Sequence, residues 1–304
     1  MNAARSMLLI GKKTSLVSQP LLFIASSAEE IMQIVIHVGF DRSGTSFIAG
    51  AIERHPQVRY FCQPDNSAAL HRAQWEYWEV GGGDEASNRF LRELSAGRID
   101  REYVVSDWFK KYGCGLYELR PDGINLVKTT KVHFKVRWLQ QHHNIKVMAV
   151  IRDPRATIAS LVRNDFHTRW YAMKDFEATR AVVESGKLPE TGLDLTPPDP
   201  SDWLRGISYL LLVRTAVLCA DLGWDENSFV NYEMACQDPS TYLCERMGLP
   251  RHDLVTTPKQ DFNIIGRSFE SEYKGWHDLE LAQRDAVESV LRPLCEKLGY
   301  PRVV

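Results

Sequence analysis

An apolar run that passes directly into a polar turn limits the fold of this chain more than any other sequence feature. Residues 34–39 read IVIHVG, and FDRSGTS follows at 40–46. Apolar residues then recur at helical spacing from Ser46 to His55, where Pro56 ends the helix. The segment predicts a buried strand, a tight turn and a helix, which together begin a βαβ unit.

A second strand-to-helix transition follows later in the chain. KVMAVI at 146–151 is apolar enough to be buried on both faces of a sheet, and RDPRATIAS follows it at 152–160. Asp153 is a good helix N-cap, and Pro154 suits the first helical position. The two transitions predict an α/β fold with a central, mostly parallel sheet flanked by helices. Three other runs have strand character: 58–62, 124–130 and 228–232.

Helical periodicity marks most of the remaining chain. The predicted helices are 67–112 with a break at 81–83, 131–142, 203–221, 238–248, and 279–298 with a kink at Pro293. Residues 185–202 are rich in proline and glycine and predict a long loop. Because no internal repeat is visible, residues 32–304 are predicted to form a single domain.

Composition narrows the class of protein. The chain has 304 residues, 44% of them hydrophobic, and a net charge of −2 at pH 7. No overall field therefore favours nucleic acid or an anionic membrane surface. None of the six cysteines is in CxxC spacing, and no His–Cys cluster resembles a zinc site. These features predict a cytoplasmic protein with reduced thiols, no nucleic-acid partner and no metal, and they leave the oligomeric state open.

The first residues stand apart from the predicted domain. Residues 16–28 read LVSQPLLFIASSA, with two lysines just upstream, which is a weak leader-like pattern. The run is too short to span a membrane and contains Pro20, so no membrane span is predicted. Met32 lies two residues before the first strand. We interpret 1–31 as a loosely ordered extension, either a leader or the result of an upstream start codon.

The turn after the first strand has the donors of a phosphate-binding loop. Gly39 to Ser46 follow the frame GxxxxG-T-S, close to the GxxxxGK[ST] frame of ATP-binding P-loops. In such a loop, backbone N–H groups and a helix N-terminus point at an anion. The position of the P-loop lysine is Thr45 here, and the cation lies upstream at Arg42. An ordinary capped helix needs only Ser43 or Thr45 and stays open as the simpler interpretation.

A second set of cations follows the strand at 146–151. Arg152 lies at the end of this strand, with Arg155 and Ser160 on the predicted helix that follows. Ligands of parallel sheets gather at the carboxyl edge, and guanidinium groups bind phosphate with bidentate geometry. The alternative is that both arginines pair with carboxylates at the surface. Two such strand ends in one sheet suggest a nucleotide with two separated phosphate groups rather than a triphosphate.

These motifs resemble those of the sulfotransferases that use 3′-phosphoadenosine 5′-phosphosulfate (PAPS). FDRSGTS is similar to their 5′-phosphosulfate loop, in its carbohydrate-sulfotransferase form with arginine in place of lysine, and RDPRATIAS is similar to their 3′-phosphate motif. VNYEMACQDPSTYLCERMGLP at 230–250 resembles the family's Tyr-Glu, Asp-Pro and Leu-Gly segment. Trp276 with Leu-Gly-Tyr at 298–300 resembles its C-terminal pattern. The resemblance covers about residues 34–301.

The resemblance implies a P-loop-NTPase-like sulfotransferase fold, PAPS as the donor, no metal, and transfer of a sulfuryl group to a hydroxyl of a sugar, glycolipid or small metabolite. By this match Arg42 binds the phosphosulfate and stabilises the leaving phosphate, as a fixed cation can do for developing negative charge. Arg152 and Ser160 match the residues that hold the 3′-phosphate. The other loop residues that match the donor-binding motif are Ser43, Gly44, Thr45 and Ser46.

The chain departs from the family where a catalytic base is expected. Aryl sulfotransferases carry Lys-Thr-His where this chain reads Lys-Thr-Thr at 128–130, so the matching histidine is absent. His133 and Asp65 are the candidate bases, and Lys131 lies beside His133. Lys128 is a catalytic candidate because matching lysines lie near the sulfate. His133 as a structural residue and Lys128 as a solvated surface residue stay open as alternatives.

The late Arg-Lys-Gly-x-x-Gly motif of the aryl enzymes is also absent. Arg267 is the candidate donor-binding replacement, and Lys274 with the glycine after it is the alternative. Two other functions remain open at this point. A small-molecule kinase would share the loop but lack its lysine at Thr45, and an inactive nucleotide-binding relative would lack only the base.

We predict that residues 1–31 are dispensable for folding, because they precede the first strand and carry no strong targeting pattern. A chain that begins at Met32 should have the melting temperature of the full chain within about 2 °C, as expected when stability changes by a few tenths of a kcal/mol. Thermal unfolding followed by circular dichroism measures this. A shortened chain that does not unfold cooperatively would contradict the prediction.

Overall fold

The computed structural model describes residues 33–62, 88, 123–130, 132–143, 145–163, 168–255 and 274–300. Its described strands form one parallel sheet in the order β2-β3-β1-β4-β5. The strands are β1 (Gln33–Val38), β2 (Val58–Cys62), β3 (Ile124–Thr129), β4 (Lys146–Ile151) and β5 (Phe229–Asn231). The predicted α/β class with a central parallel sheet is confirmed.

Helices cover the sheet on both sides. In chain order the described helices are α1 (Thr45–Ile52), α2 (Val136–His143), α3 (Pro154–Arg163), α4 (Thr168–Glu184), α5 (Trp203–Leu222), α6 (Tyr232–Gln237), α7 (Pro239–Met247), α8 (Lys274–His277) and α9 (Leu281–Lys297).

The central strand β1 buries both of its faces, as its continuous apolar run requires. On one face Ile36 packs in a cluster with Leu139 of α2 and Leu218 of α5. On the other face Val35 packs in a cluster with Ile48 of α1. Alternate residues of β1 therefore belong to different cores, and the loop that follows β1 is held between two packed layers.

The predicted strands are confirmed to within two residues at each end, and the loop at 185–202 is confirmed as a segment without helix or strand. The helix predicted at 131–142 begins only at Val136, because residues 133–135 form a turn. The last helix runs through Pro293 without ending there. The helix predicted at 67–112 lies outside the described residues, apart from Asn88.

Three of the described helices, α4, α6 and α8, were not predicted. The buried side of α4 includes Asp175 and Thr179 beside Phe176 and Val182, so its apolar periodicity is weak. Asp175 is accommodated because its carboxylate accepts a hydrogen bond from Arg214 of α5 at 3.0 Å. A contact with a distant helix therefore explains a buried charge that the local sequence pattern cannot.

One helix of the described part of the chain, α5, is long and apolar enough to cross a membrane by length and composition. Most of it is buried inside the fold, where it packs against α4 and α9. Asp202 caps its first turn by accepting hydrogen bonds from the backbone N–H groups of Leu204 and Arg205. These are the features of a central core helix.

A buried ion pair fixes the junction between β4 and α3. Asp153 is fully buried, and its carboxylate accepts hydrogen bonds from the backbone N–H of Arg155 at 2.9 Å and from the Arg155 guanidinium at 3.0 and 3.1 Å. The guanidinium also lies 3.5 Å from Glu288 of α9. Of the two arginines considered for the second phosphate, Arg155 therefore pairs with a carboxylate, as the alternative had it, but the pair is buried rather than at the surface, and it holds the junction together.

We predict that Asp153→Asn lowers the free energy of unfolding by about 3 kcal/mol, because it leaves the buried Arg155 guanidinium without its main counter-charge. The control is Asp202→Asn, the same change at a half-exposed N-cap, where the ion pair with Arg205 is exposed and the cost should stay under about 1 kcal/mol. Urea unfolding of both variants measures the difference. Equal losses in the two variants would contradict this account of the junction.

Candidate functional site

The candidate site lies at the carboxyl edge of the sheet, where three neighbouring parallel strands end together. β1 pairs with β3 on one side and with β4 on the other. The loop after β1, Lys128 near the end of β3 and Arg152 just after β4 therefore meet at one edge. This is the edge at which open parallel sheets bind their ligands.

Two glycines give the loop its tight shape. Gly44 has a φ of +89°, and a Cβ added there would lie 2.2 Å from the ring of Tyr232. A Cβ on Gly39 would lie 2.7 Å from Ser43 Oγ and 2.9 Å from the backbone oxygen of Val150. Residues with side chains do not fit at either position, so the backbone of the loop closes on itself and on β4.

Arg42 is held in a strained conformation at the outside of this loop. Its φ is +67°, the left-handed region, and among the described residues it is the only non-glycine with a positive φ. Its side chain is exposed, and its Nε lies 3.4 Å from Ser160 Oγ of α3. Strain of this kind persists where the surrounding contacts impose it, and functional loops are a common place for it.

The two predicted anion motifs are in direct contact. The guanidinium of Arg152 donates a hydrogen bond to the backbone oxygen of Arg42 at 2.9 Å. Arg152 is 7% exposed, and its guanidinium carbon lies 5.1 Å from the centroid of the Tyr232 ring, within cation–π range. The structure therefore brings Arg42, Arg152 and Ser160 into one cluster.

Tyr232 was not among the predicted site residues, although it belongs to the Tyr-Glu segment noted in the sequence. It follows β5, and its ring also meets Phe47 of α1 edge to face at a centroid distance of 5.8 Å. One aromatic ring thus contacts the loop glycine Gly44, the first turn of α1 and Arg152. Only the fold reveals this role, because Tyr232 and Gly44 lie far apart in the sequence, with most of the strands of the sheet between them.

The start of α1 offers hydrogen-bond donors to an anion. The helix begins without a side-chain cap at Gly44. Ser43 is buried, and its hydroxyl has no hydrogen-bond partner among the described residues. A helix N-terminus and a buried hydroxyl beside it are suited to an anion, because the amide dipoles and the hydroxyl proton all favour negative charge.

Lys128 adds a cation from the neighbouring strand. It is 6% exposed on β3, and its ammonium group donates a hydrogen bond to Ser46 Oγ at 2.9 Å. Ser46 lies in the first turn of α1. A buried lysine against the loop differs from the solvated surface lysine that was the alternative, and its position agrees with a role at the anion.

A buried histidine that sequence reasoning missed supports the loop from below. His37 of β1 is fully buried, and its Nε2 lies 2.9 Å from the backbone oxygen of Thr45. Because a carbonyl oxygen can only accept, this nitrogen carries the proton. Burial, with a smaller contribution from the nearby Lys128 charge, lowers the pKa of His37 to about 3. The sequence feature that could have indicated this role is a histidine inside an otherwise apolar strand.

His133, a candidate base, lies on the inner side of the same loop. It is 3% exposed, and its Nε2 has no hydrogen-bond partner among the described residues. Burial and the nearby Arg214 charge lower its pKa to about 3, and the backbone oxygens of Gly39 and Thr130 act against that shift. Its burial and lowered pKa favour the structural alternative for this residue.

Three predicted residues lie outside the described part of the chain: Asp65, Lys131 and Arg267. Their proposed roles stay predictions, and so does the role of Lys274, whose side chain is not described. Within the described residues there is no group of three or more histidine, cysteine, aspartate or glutamate side chains that could hold a metal ion. The described donors at the site are guanidinium, ammonium and hydroxyl groups with a helix N-terminus, a set that suits anions.

Comparisons with known proteins return structural likeness only. No family model matches the sequence, and no curated protein matches it significantly. Solved structures that overlap with the fold include the sulfotransferase domain of the Synechococcus PCC 7002 olefin synthase, with a TM-score of 0.49 and 13% identity over 91% of this chain and 98% of that domain.

Two further overlaps are with sulfotransferases. The enzyme from Alicyclobacillus acidocaldarius has a TM-score of 0.43 and 16% identity over 89% of this chain and 96% of its own. Sulfotransferase STF9 from Mycobacterium avium has a TM-score of 0.37 and 13% identity over 88% of this chain and 77% of its own. Overlaps of this size do not decide what the chain does, so the functional argument rests on the site itself.

We predict that the two buried neutral histidines make the fold sensitive to acid. Their pKa values are lowered from 6.5 to about 3, so the unfolded chain binds more protons than the folded chain between these values. The stabilisation is complete above about pH 6.5 and is lost as the pH falls towards 3, with a slope of up to about 1.4 kcal/mol per pH unit for each histidine.

The variant His37→Gln should reduce this slope by up to about half, because one of the two groups no longer titrates. His277→Gln, at an exposed histidine in α8, is the control and should leave the slope unchanged. Urea unfolding at several pH values between 4 and 7.5, spaced by about one unit, gives the slope for each protein. An unchanged slope in His37→Gln would show that His37 does not stay neutral in the fold.

Proposed function

We propose that this protein transfers a sulfuryl group from PAPS to a hydroxyl of a sugar, glycolipid or small metabolite. The observation that carries the proposal is the contact between Arg152 and the backbone oxygen of Arg42. It joins two cationic strand ends at one edge of the sheet. The loop that begins this site has threonine at position 45, where the ATP-binding frame has lysine.

The described residues fit a donor of this kind. A buried Ser43 hydroxyl without a partner and two glycine positions that admit no Cβ are suited to an anionic group lying against the loop backbone. Arg152 and Ser160, one strand further along the sheet, are suited to a second anionic group. Adenosine 3′,5′-bisphosphate carries two such groups at a fixed separation, which is the reason for proposing it as the common part of donor and product.

The cations of the site then have two different tasks in the proposed reaction. When bound, the donor supplies an activated sulfuryl group, whose bond to the 5′-phosphate oxygen is exchanged for a bond to the acceptor oxygen while the acceptor proton leaves to a base. Arg42 and Lys128 stabilise the negative charge that develops on the leaving phosphate oxygen, because cations held in place before the reaction favour developing negative charge. Arg152 orients the end that does not react.

The proton acceptor is proposed from the sequence rather than from the described geometry. Asp65 is the preferred candidate. His133 is disfavoured, because a buried group with a pKa of about 3 is a weak base at neutral pH. An Asp65→Asn variant with intact donor binding and strongly reduced turnover is the result that supports this assignment.

A small-molecule kinase is the second candidate, and one observation favours it. Lys128 brings an ammonium group to Ser46 from the neighbouring strand, so the loop is not without a lysine even though Thr45 replaces the usual one. This lysine could approach a transferred phosphoryl group as well as a sulfuryl group. Only a comparison of the two donors separates the candidates.

The deciding experiment supplies the purified chain with sulfur-labelled PAPS or with γ-phosphate-labelled ATP, in the presence of small molecules extracted from the source cells. We expect label from PAPS, and not from ATP, in a product that can then be identified. Label from ATP alone would establish the kinase. Tight binding of the bisphosphate without transfer to any acceptor would establish an inactive nucleotide-binding relative.

We predict that Arg42→Ala and Arg152→Ala affect different kinetic constants. Loss of Arg42 should lower kcat by about 10²–10³-fold, because its cation acts on charge that develops during transfer. Arg42→Lys should retain part of the activity, since it keeps the charge but not the planar fork. Loss of Arg152 should raise the donor KM more than it lowers kcat, because its contact is shared by ground and transition states.

Steady-state kinetics across a donor titration separates these effects. Arg292→Ala, at an arginine whose side chain is 53% exposed on α9, is the matched control and should leave both constants unchanged. Circular dichroism shows whether the variants remain folded. Near-normal turnover in Arg42→Ala, or an unchanged donor KM in Arg152→Ala, would contradict the assignment at that position.

A further inference from the structure

A tyrosine near the C-terminus reaches into the neighbourhood of the second anion site. Tyr300 follows α9, and its backbone N–H donates to the backbone oxygen of Cys295 at 2.9 Å, which fixes its position at the helix end. Its hydroxyl donates to Glu233 Oε2 at 2.9 Å and accepts from Asn231 Nδ2 at 3.3 Å. One hydroxyl thus holds the two residues on either side of Tyr232.

The other oxygen of Glu233 continues this chain of hydrogen bonds. Glu233 Oε1 accepts from the backbone N–H of Asp153 at 3.0 Å. Asp153 follows Arg152 directly and is itself fully buried. Two successive hydrogen bonds therefore lead from the Tyr300 hydroxyl to the peptide group that joins Arg152 to Asp153.

A second connection passes through Tyr232. Asn231 Oδ1 caps α6 by accepting from the N–H of Met234 at 2.9 Å, so the backbone around Tyr232 is fixed on both sides. The Tyr232 ring lies under the Arg152 guanidinium at 5.1 Å and against Gly44. The position of this ring therefore depends on residues that Tyr300 holds.

We propose that Tyr300 is a positioning residue for the second anion site, and that it fixes the orientation of the Arg152 guanidinium through Glu233 and Tyr232. The inference rests on the proposed function, since it assigns to Arg152 the part of the donor that does not react. It also gives the C-terminal helix a role beyond packing. A side chain about 150 residues from Arg152 in sequence determines how well that arginine is held.

The chemistry of Glu233 supports this role. Burial raises the pKa of this carboxyl group, and the hydrogen bonds from the Asp153 amide and the Tyr300 hydroxyl act against that shift. A buried carboxylate depends on its donors, since each donor that is lost leaves it poorly compensated. Removal of the Tyr300 hydroxyl should therefore displace Glu233 and the groups attached to it.

The test measures binding of adenosine 3′,5′-bisphosphate to the full chain by titration calorimetry and, separately, kcat at saturating donor. Tyr300→Phe should raise the dissociation constant of the bisphosphate by about tenfold, the effect expected for the loss of one hydrogen bond to a buried charged group. It should leave kcat within about twofold of the unaltered chain. Tyr209→Phe is the matched control and should leave the affinity unchanged. Its hydroxyl donates to the backbone oxygen of Leu195 at 3.1 Å, so it removes a tyrosine hydroxyl without touching Asn231 or Glu233.

A double variant adds an independent readout. Glu233→Ala should weaken binding at least as much as Tyr300→Phe, and the loss in the combined variant should fall clearly short of the sum of the two separate losses, because both changes break one chain of hydrogen bonds. Additive losses, or an unchanged affinity in Tyr300→Phe while the unaltered chain binds normally, would overturn the positioning role. Failure of the unaltered chain to bind the bisphosphate would overturn the proposed function and this role with it.

Discussion

The hydrogen bond from the Arg152 guanidinium to the backbone oxygen of Arg42 is the contact on which the rest of the site depends. It joins the loop after β1 to the end of β4, and it does so at the point where the loop backbone is in the left-handed conformation. A strained turn needs surrounding contacts that impose it. Here the contact from Arg152 at the end of β4 helps to impose the strained conformation of Arg42 in the loop after β1.

The loop is also supported by a buried histidine of β1. The neutral His37 ring donates a hydrogen bond to the backbone oxygen of Thr45, at the start of α1. Neutral imidazole suits this task, because it offers a directed N–H to a backbone oxygen without adding a buried charge.

Much of this architecture follows from local sequence. The strand that runs into FDRSGTS and the strand that runs into RDPRATIAS were sufficient to predict β1–α1 and β4–α3, since strand periodicity and N-cap residues are local signals. Burial and contacts between distant segments are not local signals. The ion pair of Asp153 with Arg155 was open until the fold showed both side chains buried, and the ring of Tyr232 became part of the site only once β5 was seen beside β4. The candidate bases Asp65 and His133 show the same limit, because a base is defined by its distance to a substrate.

The measurement that tests the central claim most directly is a calorimetric titration of the protein with adenosine 3′,5′-bisphosphate and, in parallel, with ATP and with adenosine 5′-monophosphate. A site built from two joined cationic strand ends should bind the bisphosphate, and it should bind the monophosphate more weakly by at least about tenfold, because one of two anion contacts is missing. ATP should also bind more weakly than the bisphosphate. Tighter binding of ATP than of the bisphosphate would contradict the account.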